Sequence, residues 1–157
     1  MRRLPIYLLL DCSGSMMGEP IAAVQTGLQN LVATLRQDPY ALETAYISVI
    51  TFDSDARQTV PLTELSQFNP PQLSATGTTA MGAALTLLAE RIEAEVTKTT
   101  SDTKGDWKPV VFLMTDGSPT DNLTAGIEAL KRIKIGTFVA CAAGPGTRRL
   151  PRHAGQP

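Results

Sequence analysis

Four runs of apolar residues in the chain are too continuous for half-exposed strands: 5–10 "PIYLLL", 45–52 "AYISVITF", 109–115 "PVVFLMT" and 135–142 "IGTFVACA". A strand with one wet face alternates apolar and polar residues, whereas a strand covered on both faces does not, so these runs predict strands layered between helices. A fifth piece, 57–62 "RQTVPL", follows the second run after only "DSDA". So short a connection predicts an antiparallel hairpin, and Pro61, with no N–H for a ladder, puts this piece on an edge.

Between the strands the period becomes helical. Residues 20–36 carry Ile21, Val24, Leu28, Leu31, Val32 and Leu35, with Pro20 suited to a first turn. Residues 80–97 repeat the stripe with Met81, Leu85, Leu88, Ile92 and Val96, and residues 121–133 do so with Leu123, Ile127, Leu130 and Ile133, where Asp121 suits an N-cap. The stretch 63–73 reads as a short helical turn broken at Pro70–Pro71, and 97–108 "TKTTSDTKGDWK" as a solvated polar connection. The order β-α-β-β-α-β-α-β predicts an α/β fold: an open, mostly parallel, doubly wound sheet with one antiparallel edge strand and helices on both faces.

Composition narrows the class. A length of 157 residues with 43% apolar and 18% charged residues suits one globular domain and not a disordered chain. The net charge of −1 lacks the clustered basic excess of a nucleic-acid surface. Three of the fourteen basic residues lie in 147–157 "TRRLPRHAGQP", which has no acid, so residues 1–146 carry eleven basic against fifteen acidic groups, a net of −4. Cys12 and Cys141 are too few for a disulfide framework, have no partners at zinc-ligand spacing, and read as buried free thiols of a cytoplasmic protein. The start "MRRLPIYLLLDC" imitates a signal peptide, but its apolar stretch is short, contains a proline and has no small-x-small cleavage site after it. No run approaches the roughly 18 apolar residues that a membrane span requires.

Candidate chemistry gathers where the strands end. The stretch "LDCSGSMMG" puts Asp11, Ser13 and Ser15 at alternate positions, which in an extended chain share one side. Such a cluster could serve as a phosphate cradle, a nucleophile turn, a metal site or a plain polar loop. In open α/β sheets ligands bind beyond the carboxyl ends of the strands, where the strand order reverses. Two further connections there carry oxygen donors, 75–82 "ATGTTAMG" and 115–121 "TDGSPTD". If the first and fourth strands are neighbours, Asp11 and Asp116 face each other across that point, with Ser13, Ser15 and a threonine from 78–79 beside them. Two carboxylates with hydroxyls, and neither imidazole nor thiolate, make a hard oxygen site suited to Mg²⁺ or Mn²⁺. An ion with so few anionic ligands stays electrophilic and open to one more carboxylate.

Enzymatic readings fit less well. A haloacid-dehalogenase-type phosphatase needs a second aspartate where Ser13 stands, and a nucleophile elbow needs glycines on both sides of its serine. A phosphate loop is absent, and the only histidine, His153, lies in the basic tail. Metal-activated hydrolysis by the same ion remains as the alternative function. Beside the cluster, Met16 and Met17 read as core plugs, Asp53 and Asp55 as hairpin-turn residues, and Gly14 and Gly18 as the points that let the loop curl.

The motifs "DCSGS", "TGTTAMGAAL" and "FLMTDGSPTD", in this order, resemble the von Willebrand factor type A domain and its metal-ion-dependent adhesion site. Carried over position by position, the resemblance implies Asp11, Ser13, Ser15, Thr79 and Asp116 as metal ligands, with Thr78 the less favoured threonine. It implies Mg²⁺, with Mn²⁺ or Ca²⁺ as alternatives, and a protein partner that offers a carboxylate. "YLLLDCSGSMMGEPI" looks most like the bacterial TerY-type members of tellurite-resistance operons, which implies a non-enzymatic module of a stress-response system. Other Ter proteins, or a kinase and phosphatase encoded alongside, are then the expected partners. The motifs cover 5–146 and leave 147–157 as a basic, proline-containing tail, read as unstructured or non-native. A chain truncated there would leave the edge beyond the fifth strand open to dimerisation.

Overall fold

The computed structural model describes residues 2–115 and 123–142. Five strands, β1 (Leu4–Asp11), β2 (Ala45–Phe52), β3 (Ala56–Glu64), β4 (Val110–Thr115) and β5 (Thr137–Ala142), form one sheet among these residues. Its order is β3-β2-β1-β4-β5, with β3 antiparallel to β2 and all other pairs parallel. The predicted α/β architecture is therefore observed. The order reverses between β1 and β4, with Leu10 opposite Met114. At the predicted edge, the β2–β3 register shifts on either side of Val49↔Val60, next to Pro61, and the Ser48 hydroxyl donates to Val60 O at 2.8 Å.

The continuous apolar runs are explained by two cores. On β1, Tyr7 and Leu9 face one side while Ile6, Leu8 and Leu10, with Cys12 just after the strand, face the other. The second side is covered by α1 (Glu19–Arg36) through Val24, Leu28 and Val32, spaced one helical turn apart. The first side is covered by α3 (Met81–Glu95) through Met81, Ala84, Leu85, Leu88 and Ile92. Each such Leu or Ile contributes about 1.5–3 kcal/mol by leaving water. Helix α4 (Thr124–Lys131) packs on α3 so closely that a Cβ at Gly126 would stand 2.6 Å from Leu85 Cβ.

Three features differ from the sequence reading. A six-residue helix, α2 (Pro39–Thr44), precedes β2, started by the Asp38 carboxylate accepting Tyr40 N–H at 2.9 Å. The connection 97–108 is not merely solvated. Its Asp106 ion-pairs with Arg3 at 2.6 Å and accepts Thr97 N–H at 2.8 Å, and Trp107 N–H donates to Arg3 O, so the loop is fastened beneath β1. Burial pushes the Asp106 pKa up, but Arg3 and the Thr97 N–H outweigh it and hold the carboxyl below its ordinary value. Third, Met16 is fully buried as a core plug, whereas Met17 is 69% exposed and is not one. Asp121 and the tail 147–157 lie outside the described residues, as does any covering of the edge beyond β5.

Candidate metal centre

Asp11 ends β1 and is completely buried. The turn that follows folds Ser13 N–H back onto its Oδ1 at 2.9 Å. From across the switch point, the Thr115 hydroxyl at the end of β4 donates to Oδ2 at 2.7 Å. Ser13 is buried and Ser15 exposed, with their hydroxyl oxygens 3.1 Å apart at the start of a 3-10 turn, Gly14–Met16.

The second loop is laced to the first through backbone. Gly14 N–H donates to Gly77 O at 2.9 Å, Thr76 N–H to Cys12 O at 2.9 Å, and Ala80 N–H to Asp53 O at 2.7 Å. Gly77 has φ of +76°, and a Cβ there would lie 2.4 Å from Ser54 Oγ, so neither the conformation nor the space admits a side chain. At Gly14 the same close approach would put a Cβ 3.2 Å from Gly77 O, and Gly18 takes φ of +87°. The lacing separates the two threonines. Thr78 is exposed and its N–H donates to Ser54 Oγ at 3.1 Å, while Thr79 is buried.

Asp53 and Asp55 close the β2–β3 turn, with Asp53 N–H donating to Asp55 O at 2.8 Å and Arg57 lying 3.4 Å from the Asp53 carboxylate. Burial, then the charges of Asp11 and Asp53, push the Cys12 thiol up to about 11, and its side chain lies in the core with Met16 and Val24. Its neighbour in the reading of the cysteines, Cys141, has no described side chain, and the predicted ligand Asp116 lies outside the described residues.

The donor set fits a hard divalent cation. Among the described residues each Asp11 oxygen accepts one hydrogen bond, both from uncharged donors, and no basic side chain pairs with it. A carboxylate has about four lone-pair positions, and burying its charge without an opposite charge costs several kcal/mol. No group of three or more His, Cys, Asp or Glu side chains gathers among the described residues. The donors beside Asp11 are hydroxyls, a supplement that Mg²⁺ and Mn²⁺ accept and softer ions do not favour. The Thr115 hydroxyl on Asp11 is a partner that sequence reasoning missed, although a threonine directly before Asp116 was visible.

This is a doubly wound α/β domain whose polar loops meet at the switch point of the sheet. The family model described as the von Willebrand factor type A domain matches residues 6–157, and the chain belongs to that family. The match extends through 147–157, beyond the motifs quoted above. Solved structures share the fold. Manganese-loaded TRAP protein of Plasmodium vivax superposes with a TM-score of 0.61 at 22% identity, covering 92% of this chain and 59% of that one. The pilus adhesin SpaC of Lactobacillus rhamnosus GG gives 0.57 at 24%, covering 76% of this chain and 15% of that chain. An aerotolerance-related membrane protein of Bacteroides fragilis gives 0.52 at 20%, covering 96% and 77%. The chain thus spans only a small part of the pilus adhesin. No curated protein matches it significantly. Among the described residues no helix is long and apolar enough to cross a membrane.

Proposed function

We propose that the chain is a divalent-cation-dependent protein-binding module. Asp11, Ser13, Ser15, Thr79 and Asp116 would hold Mg²⁺, with Mn²⁺ or Ca²⁺ as alternatives. The bound ion would supply an electrophilic position for a carboxylate of a protein partner. The observation that carries this reading is the buried Asp11 carboxylate, held only by the neutral Ser13 N–H and Thr115 hydroxyl among the described residues. The manganese in the TRAP structure and the adhesive role of SpaC support it as properties of family members.

The resemblance of "YLLLDCSGSMMGEPI" to TerY-type proteins extends the proposal to a cytoplasmic stress-response system, with other Ter proteins or an associated kinase or phosphatase as partners. A binding module is favoured over a hydrolase because the described neighbours of Asp11 are hydroxyls, which supply no general base. Titration calorimetry with Mn²⁺ and Mg²⁺ on the wild type and Asp11→Ala tests the site. We expect saturable binding to the wild type, a rise in Tm with metal, and neither in the variant. A wild-type Tm that is the same in metal and in EDTA would overturn the proposal.

A further inference from the structure

At the pole of the sheet opposite the candidate metal centre, a cleft of about 960 Å³ opens below the amino ends of β1 and β4. Leu4 and Asp11 mark the two poles on β1, about 23 Å apart at the rise of an extended strand. The interior is apolar, with Leu4, Ile92, Val96 and Ile133 among its lining residues. The rim is basic. Lys108, Arg132 and Lys134 are exposed there, and none of them forms an ion pair among the described residues.

The acids that line the cleft already have cations. Lys98 takes Glu93 at 2.8 Å and Arg3 takes Asp106 at 2.6 Å. Helices α3 and α4 both end here, and their carbonyl ends subtract about half a charge each. With Arg2, which also lines the cleft, four cations without an ion pair among the described residues outweigh that, leaving an excess of about three positive charges. Trp107 stands at the same rim, 43% exposed, with the Arg2 guanidinium 4.0 Å above its ring. Arg2 Nε is itself fixed by a 2.8 Å bond to Gly105 O, so this indole face is rigid before any partner arrives. Pre-ordered tryptophan and arginine beside an apolar hollow are the usual anchors of protein interfaces, because they bury much area at small entropic cost.

We propose that this cleft docks an acidic peptide segment of a protein partner, one that places an apolar side chain into the hollow and carboxylates on Lys108, Arg132 and Lys134. The chain's own tail has the wrong sign for this role, since 143–157 holds Arg148, Arg149 and Arg152 and no acid. The domain then contacts partners at two poles, and the second contact requires no metal.

Trp107 is the only tryptophan, so its emission reports on this cleft alone. The probe is an acetylated peptide, Glu-Asp-Glu-Leu-Phe-Asp-Glu, titrated into the full chain with and without EDTA. We expect a saturable emission change that weakens as salt rises. The triple variant Lys108→Glu/Arg132→Glu/Lys134→Glu should bind at least tenfold more weakly, and the milder Arg132→Gln/Lys134→Gln should fall between. Asp11→Ala and EDTA should leave binding intact, which separates this proposal from the metal centre. No saturable change, equal binding by the triple variant, or equal binding of a peptide with lysines in place of its acids would overturn it. Loss of binding in both EDTA and Asp11→Ala would reassign the peptide to the metal centre. An emission change produced by tripolyphosphate and not by the peptide would make the cleft a small-anion site.

Discussion

Asp11 and Asp106 are two withdrawn carboxylates at opposite poles of one sheet, and they are treated in opposite ways. Asp106, with a side chain 5% exposed, is closed by Arg3 through bonds of 2.6 and 2.9 Å and by Thr97 N–H. Asp11 is more deeply buried, yet its described partners are an amide and a hydroxyl, which satisfy lone pairs without balancing charge. At Asp106, eleven residues beyond α3, the fold provides an internal cation; at Asp11 it provides none among the described residues. The difference teaches that burial alone does not single out a carboxylate; of these two, Asp11 is the one with no counter-charge among the described residues. The Asp106 pair is part of the scaffold, and Asp11 has no such closure among the described residues.

The largest effect should come from the closed end. Asp106→Asn removes the acid and strands Arg3, which should lower unfolding free energy by about 2–3 kcal/mol, below the 3–5 of a fully buried pair because Arg3 keeps 28% of its side chain exposed. Urea midpoints at pH 7 would check this, and metal affinity should not move. The folded pKa of Asp106 is depressed, so its contribution is present above the ordinary carboxylate value near about 3.9 and is lost as pH falls through the folded value. The gap between wild type and variant should therefore narrow below about pH 4. A gap that is constant with pH would show that the loss comes from packing and not from charge.

Asp11→Asn in EDTA should behave in the opposite sense. Removing a buried charge that has no counter-charge among the described residues, while keeping its shape, should raise the unfolding free energy by about 1–2 kcal/mol. A loss as large as that of Asp106→Asn would break the comparison, because it would reveal an internal counter-charge for Asp11. The smallest effect belongs to Met17, which is 69% exposed at the rim of the first loop. Met17→Ser should alter the Tm-derived stability by no more than about 0.5 kcal/mol and leave Mn²⁺ binding unchanged. A larger loss in thermal melts would return Met17 to the core-plug role.

Much of this was legible because it depends on local pattern. Two-sided burial of β1 follows from "IYLLL", and the edge position of β3 follows from Pro61. The seating of Asp11 and Ser13 at a strand end, and the burial of Thr79 but not Thr78, agree with motif spacing. What was illegible is long-range or short. Helix α2 has six residues, too few for a period to emerge. The Arg3–Asp106 pair joins positions 103 apart, and within "TKTTSDTKGDWK" nothing local distinguishes Asp106 from Asp102. Met17 shows the same limit, since adjacent methionines look alike until a 3-10 turn sends one inward and its neighbour out.

The central place of β1 has a consequence for synthesis. Its first partner, β2, ends at Phe52, but its other edge is not paired until β4 is complete at Thr115. At roughly 5–20 residues per second, the ribosome needs roughly 3–13 s to make the intervening sixty or so residues. Throughout that interval a central, apolar strand has one open edge. Helix α3 emerges within the same interval and can cover one face, but neither it nor α1 can supply the missing ladder. The nascent chain is therefore most prone to aggregation just before "VVFLM" leaves the tunnel, and that segment closes the window by pairing with β1.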